Sequence, residues 1–172
     1  MSMLPDGSLD AAEAPVRVEV GLGELAYARH PDYLMTPALG SCVAVTLWDP
    51  TLKHGAMAHV MLPAPPRVAL PGNSARYAIY AIGKMAEDLR NAGSPRRRLV
   101  AKIAGGAAMF QADGILASVG ERNVEEVKKQ LALLKIPLLA EDIGERHART
   151  VELHLDTGVL LVRSYLYGVK RL

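Results

Sequence analysis

The chain has 172 residues, half of them hydrophobic, with mean hydropathy +0.12, enough apolar side chain for one sizeable core. Its 20 basic and 18 acidic residues leave a net charge of +2 and a pI near 8.7, a balance that points to neither a nucleic-acid nor a membrane partner. A single cysteine and five scattered histidines exclude an intrachain disulfide and lack the spacing of a structural zinc site, so no metal or other cofactor is expected and a reducing, cytoplasmic setting fits.

Met1-Ser2-Met3-Leu4-Pro5-Asp6-Gly7 has neither a basic n-region nor an apolar h-region, and no apolar stretch approaches the length of a membrane span. Residues 1–15, rich in Ala, Asp, Ser and Pro, are expected to form a mobile tail ahead of one domain over 16–172. Val16, Val18 and Val20 alternate with Arg17 and Glu19, a half-buried strand that breaks at Gly21-Leu22-Gly23. Apolar runs at 42–48 and 56–62 predict two strands joined by the turn-rich Asp49-Pro50-Thr51-Leu52-Lys53-His54-Gly55, and so short a connection favours antiparallel pairing. The prolines from Leu62 to Ser74 forbid regular structure and predict a long loop.

Ala78, Ile82, Met85 and Leu89 form the apolar stripe of a helix that stops at Asn91-Ala92-Gly93. A second helix is expected to open at Asn123 as N-cap, with Glu125 and Glu126 in its first turn and Val124, Val127, Leu131 and Leu134 as its stripe. Further strands are expected at 98–104, 137–141, 149–155 and 158–165, the last two joined by the hairpin turn Asp156-Thr157-Gly158. The fold class is therefore α+β, a layered sandwich of mainly antiparallel β-sheets with two principal helices.

Cys42 stands at the start of the first apolar run, and His59 lies in the middle of the second. On two paired strands they can lie side by side, and an imidazolium beside a thiol can lower its pKa to roughly 3.5–7.5 and supply a nucleophile. Small Gly40 and Ser41 before the thiol leave room for a substrate, and backbone N–H groups there are candidate oxyanion donors. His30, His54, His147 and His154 lie in less apolar surroundings; the hydroxyl of Thr36 or of Ser41 is placed to orient the imidazole. Spacing alone leaves the function open, because a lone cysteine on an apolar strand is more often a packed core residue.

Thr36-Pro37-Ala38-Leu39-Gly40-Ser41-Cys42-Val43-Ala44-Val45, followed by Gly55-Ala56-Met57-Ala58-His59-Val60-Met61-Leu62-Pro63, resembles the signature of the CheD family, the chemoreceptor glutamine deamidases of chemotaxis. Ala101-Lys102-Ile103-Ala104-Gly105-Gly106-Ala107-Ala108-Met109-Phe110 resembles that family's Lys and Gly-Gly-Ala block, and Gly120-Glu121-Arg122-Asn123 its Arg-Asn block. The resemblance implies an active site arranged like that of toxin deamidases and papain-like thiol enzymes, with Cys42, His59 and Thr36 as the catalytic group. It implies a chemotaxis-receptor cytoplasmic domain as protein substrate and a CheC-type phosphatase as a further partner. No exposed heptad pattern or long edge motif demands a homodimer, so a monomer that forms transient complexes is expected. The chain departs from the family at Asp142-Ile143-Gly144-Glu145, which lacks a glycine expected at the last position, at Ala148-Arg149, at Arg76-Tyr77-Ala78-Ile79, and at Pro37-Ala38 beside the threonine.

Other readings are weaker. Gly105-Gly106 after Lys102 is not a phosphate-binding loop, and Gly21-Leu22-Gly23 lacks the third glycine of a dinucleotide fingerprint. Arg96-Arg97-Arg98 reads first as a solvated turn and second as a contact for an acidic receptor face. A binding module without catalysis, or a protease using the same dyad, would share the Cys42 and His59 pattern.

Overall fold

The computed structural model describes residues 14–66, 74–109 and 118–172. Ten strands and two α-helices are present among them: β1 (Arg17–Glu19), β2 (Leu25–Arg29), β3 (Tyr33–Leu39), β4 (Val43–Asp49), β5 (His54–Val60), α1 (Ala78–Asn91), β6 (Val100–Gly105), α2 (Val119–Leu133), β7 (Leu138–Ile143), β8 (Arg149–His154), β9 (Val159–Ser164) and β10 (Gly168–Arg171). They build two five-stranded sheets, one in the order β1-β3-β8-β9-β10 and the other β2-β5-β4-β6-β7. Only the β1/β3 and β6/β7 pairs are parallel, so the α+β sandwich of mainly antiparallel sheets is the observed architecture.

The alternation of side chains along a strand explains the layering. In β4, Val43, Val45 and Leu47 join Ala56, Ala58 and Val60 of β5 in a core shared with Ala78, Ile82, Met85 and Leu89 of α1 and Val124, Val127 and Leu131 of α2. Ala44 and Met57 point the other way, into a second core between the sheets with Leu34, Leu39, Val151, Leu153, Leu160 and Val162. Both faces of β4 and β5 are covered, which is why each reads as an unbroken apolar run. In β8 burial alternates, with Arg149, Val151 and Leu153 buried and Thr150, Glu152 and His154 partly exposed, the pattern of a strand covered on one face. Each of Ile82, Met85 and Leu89, fully buried in α1, stabilises the helix against its sheet by roughly 1.5–3 kcal/mol.

The predicted strands at 42–48, 56–62, 98–104, 137–141, 149–155 and 158–165 are present with ends displaced by one or two residues. The β4/β5 pair is antiparallel, with Ala44 opposite His59. Three strands were not foreseen. β2 and β3 hold few β-branched residues, and β3 contains Pro37 and a register shift between Thr36 and Leu39 where Ala38 takes φ 55°; β10 is exposed along its whole length. The second helix begins at Val119, so Asn123 is not its N-cap but a fully buried residue one turn inside it. Residues 1–13 of the expected tail, residues 67–73 of the proline-rich loop and residues 110–117 lie outside the described residues.

The Arg96-Arg97-Arg98 patch forms a short 3-10 turn. Its third member is not a free surface charge: Arg98 donates from Nε and Nη2 to the buried Asp49 carboxylate, at 2.7 Å from Nη2. Arg96 and Arg97 remain exposed.

Candidate active site

The antiparallel register places the two chemically active residues. With Val43 opposite Val60 and Ala44 opposite His59, Cys42 lies just before β4 and diagonal to His59. By alternation both belong to the face that looks toward the other sheet, and Cys42 accordingly packs at the margin of the intersheet core. His59 is buried within the same layer.

Thr36 reaches this site from the opposite sheet. Its Oγ1 lies 2.7 Å from His59 Nδ1 and 2.6 Å from the carbonyl oxygen of Val20. A hydroxyl carries one proton, and the Val20 carbonyl can only accept, so Thr36 donates to Val20 and must accept from Nδ1–H. Neutral His59 is therefore the Nδ1–H tautomer, and its Nε2 carries a free lone pair. That Nε2 is buried and has no hydrogen-bond partner among the described residues. Ser41, the other hydroxyl considered for this role, makes no such bond.

Burial dominates the electrostatics. It pushes the Cys42 thiol above its ordinary value and the His59 imidazole below its own, because a charged form loses hydration in both cases. The resting pair is therefore thiol and neutral imidazole. The expected lowering of the thiol by an adjacent imidazolium is absent here: among the described residues burial is the one resolved influence on the thiol, and no charge offsets it.

The backbone around the nucleophile is held from one side. Gly40 O accepts from Ala107 N at 2.9 Å and Cys42 O from Gly106 N at 2.8 Å. A Cβ on Gly105, which has φ 114°, would stand 2.3 Å from the Cys42 carbonyl oxygen, so that position admits only glycine. The amide N–H groups of Ser41 and Cys42 have no acceptor among the described residues, which leaves two donors beside the thiol. The room expected above Gly40 is partly filled, since a Cβ there would meet Met109 Cγ at 2.9 Å.

The remaining histidines are engaged elsewhere. His154 stacks on Tyr33 with ring centroids 5.2 Å apart, His147 packs against Tyr167, and His54 lies 3.5 Å from Ser94 Oγ in a buried group that includes Asp49. His30 is exposed. Among the described residues no group of three or more His, Cys, Asp or Glu is placed to hold a metal ion, and no helix is long and apolar enough to cross a membrane. The residue that sequence reasoning misplaced is Asn123, whose Nδ2 donates to Ser41 O at 3.0 Å and to Met61 O at 2.9 Å. An Asn ahead of two glutamates resembles a helix cap, and no local signal separates the two roles.

A family model described as CheD chemotactic sensory transduction matches residues 61–164. The chain is 49% identical over 146 residues to the chemoreceptor glutamine deamidase CheD of Thermotoga maritima, covering 84% of this chain and 90% of that protein. It is 40% identical over 158 residues to a probable chemoreceptor glutamine deamidase of Geobacter metallireducens, covering 90% and 98%, and 41% identical over 160 residues to one of Geobacillus kaustophilus, covering 90% and 96%.

Proposed function

Since the chain belongs to the CheD family of chemoreceptor glutamine deamidases, we propose that it hydrolyses glutamine side chains of chemotaxis receptors with Cys42 as nucleophile and His59 as proton carrier. The observation that carries the assignment of roles is the Thr36 bridge, which fixes the tautomer of His59 and leaves Nε2 as a base on the face shared with Cys42.

In this reading the Cys42 thiol passes its proton to Nε2 as sulfur attacks the amide carbon of the glutamine side chain. The carbonyl oxygen becomes an oxyanion, which the N–H groups of Ser41 and Cys42 stabilise; each such donor is worth about 100- to 1,000-fold in rate. The imidazolium then returns its proton to the departing amine, the C–N bond breaks, ammonia leaves and a thioester remains. Nε2 next takes a proton from water, hydroxide attacks the thioester, and sulfur leaves as thiol after recovering that proton. The receptor side chain ends as glutamate. Transfer of the first proton inside a buried site requires no resting thiolate, so the raised thiol is compatible with this sequence.

Intact and peptide mass spectrometry of a receptor cytoplasmic fragment tests the reading. A Gln-to-Glu shift at defined sites with the wild-type protein, absent with Cys42→Ala, is the expected result. An unchanged fragment that still binds moves the activity to a non-catalytic regulatory module, and cleaved fragments would mean proteolysis. Docking to a CheC-type phosphatase is a second role for the same opening: only Cys42 of the pair is partly exposed, so a glutamine-bearing segment that is not cleaved would cover it. That binding needs no thiol and survives Cys42→Ala. We read residues 16–172 as one domain, acting in the cytoplasm as a monomer that forms transient complexes.

A further inference from the structure

Three successive carbonyls at the nucleophile are each held by a donor: Gly40 by Ala107 N, Ser41 by Asn123 Nδ2 and Cys42 by Gly106 N. Two of these donors are main chain. The third comes from the buried side chain of α2, which uses the same Nδ2 to bind Met61 O. One carboxamide thus ties the residue before Cys42 to the strand exit just beyond His59.

We infer that Asn123 is a positioning residue for the thiol site, setting the peptide plane between Ser41 and Cys42 and with it the direction of the Cys42 N–H. In a trans peptide the C=O and the following N–H point in opposite directions. Fixing Ser41 C=O toward α2 therefore turns the Cys42 N–H away from the helix, where it has no acceptor among the described residues. The two carbonyl acceptors also fix which end of the carboxamide is nitrogen, since a reversed amide would set three oxygens together.

A second observation separates this from ordinary helix packing. Asn123 is fully buried, yet its Oδ1 has no hydrogen-bond partner among the described residues. An apolar side chain would avoid that stranded oxygen but would take the donor from Ser41 O and Met61 O, so the amide is held at the cost of one unpaired acceptor for its bonds to these two carbonyls. The helix also comes unusually close to deliver it. A Cβ on Gly120, one turn earlier, would stand 2.6 Å from Gly106 O and 2.7 Å from Ala107 O, so the approach depends on the missing side chain.

The inference rests on the thiol-nucleophile reading, and the test keeps the two apart by using probes other than a receptor. Cys42 is acylated with p-nitrophenyl acetate, which passes through an oxyanion, and alkylated with iodoacetamide, which does not. The proteins compared are wild type, Asn123→Ala, Asn123→Asp and, as a control for loss of buried volume in the same helix, Val127→Ala. Acylation is expected to fall roughly 10- to 100-fold in both Asn123 variants with alkylation within about twofold of wild type, while Val127→Ala, which leaves the clamp intact, changes neither. On a receptor fragment the two Asn123 variants lower kcat and leave KM nearly unchanged, while Val127→Ala changes neither. Unchanged acylation, or acylation and alkylation falling together, overturns the inference. Should Asn123→Ala fail to fold, Asn123→Ser replaces it, its single hydroxyl donor restoring part of the rate. Absence of receptor deamidation by wild type, with the acylation pattern intact, would reject the deamidase reading and keep the clamp.

Discussion

The Thr36 hydroxyl sits between a carbonyl that can only accept and a ring nitrogen that must then donate, so its removal has two consequences. Thr36→Val keeps the shape but strands Val20 O and His59 Nδ1–H, at a cost of about 1–3 kcal/mol in stability. It also frees the imidazole to take the other tautomer, in which Nε2 carries the proton and cannot act as base. A kcat loss of roughly 10- to 100-fold is expected, at most the low end of what general acid–base catalysis supplies because the base is released from its tautomer and not removed, with Thr36→Ser close to wild type; steady-state kinetics on a receptor fragment beside urea unfolding reads both effects. A rate unchanged in Thr36→Val would remove Thr36 from the catalytic group. The pH–rate profile belongs to the same residue. Burial lowers His59 from its ordinary 6.5, so Nε2 stays unprotonated below that value, and the acid limb of kcat/KM should fall at a pH lower than 6.5. A limb centred above 6.5 would mean that His59 gains, rather than loses, proton affinity in the fold.

Among the elements, the turn between β7 and β8 places a non-glycine residue at positive φ, as Ala38, Lys53 and Lys135 are placed elsewhere. Gly144 and Glu145 both have positive φ, 74° and 60°, and the second is the position at which the resemblance led to the expectation of glycine. A non-glycine residue in that region costs about 1–2 kcal/mol, against about 0.5–1 kcal/mol for the added chain entropy of glycine. Glu145→Gly should therefore stabilise the protein by up to about 1 kcal/mol, read as a raised urea midpoint at unchanged slope; a lowered midpoint would show that the Glu145 side chain contributes more than its backbone costs. The turn bears on the site because Glu145 O accepts from Ala108 N, next to the residues that hold Gly40 and Cys42. Local rules account for what was legible here and what was not. β4 and β5 were readable because both their faces are covered, and the Asp156-Thr157-Gly158 hairpin because Gly158 turns at φ 71°. β3 was hidden by Pro37 and the bulge at Ala38, although it carries Thr36. The start of α2 was hidden by Gly120, which costs the helix about 1 kcal/mol and is there for the approach to Gly106. The thiol and imidazole could be named from sequence, but the tautomer and the Asn123 clamp depend on which strands and helices become neighbours.

At the scale of the whole molecule, burying ionisable groups in two apolar layers sets the pH range of stability. His59 is lowered by burial, and His54 by burial and the Arg29 charge, against the opposing Asp49. A histidine whose folded pKa lies below 6.5 takes up its proton first in the unfolded chain. The stability it confers is complete above 6.5 and is lost as pH falls from there through the folded value, at a slope of at most about 1.4 kcal/mol per pH unit for each group. Asp49 and Asp142 act at lower pH. Burial would raise both, but the Arg98 bonds and the Lys170 and Arg149 bonds outweigh it and hold the carboxyls below their ordinary range. Their contribution is lost only as pH drops below the unfolded value of about 3.9. On the alkaline side burial raises the Cys42 thiol above 9.0, so the unfolded chain ionises first and this group's contribution declines as pH rises through 9.0 and beyond, while Lys102, which burial lowers from 10.5, gives up its proton first in the folded chain and offsets part of that loss. Urea unfolding between pH 4 and 10 should thus show a plateau bounded by an acid limb starting near 6.5 and an alkaline limb starting near 9.0. His59→Gln should flatten the acid limb by about one proton's worth of slope and Cys42→Ala the alkaline limb, each leaving the other side unchanged. If Cys42→Ala instead alters the acid limb, thiol and imidazole titrate as a coupled pair, and the neutral resting state assigned to the site is wrong.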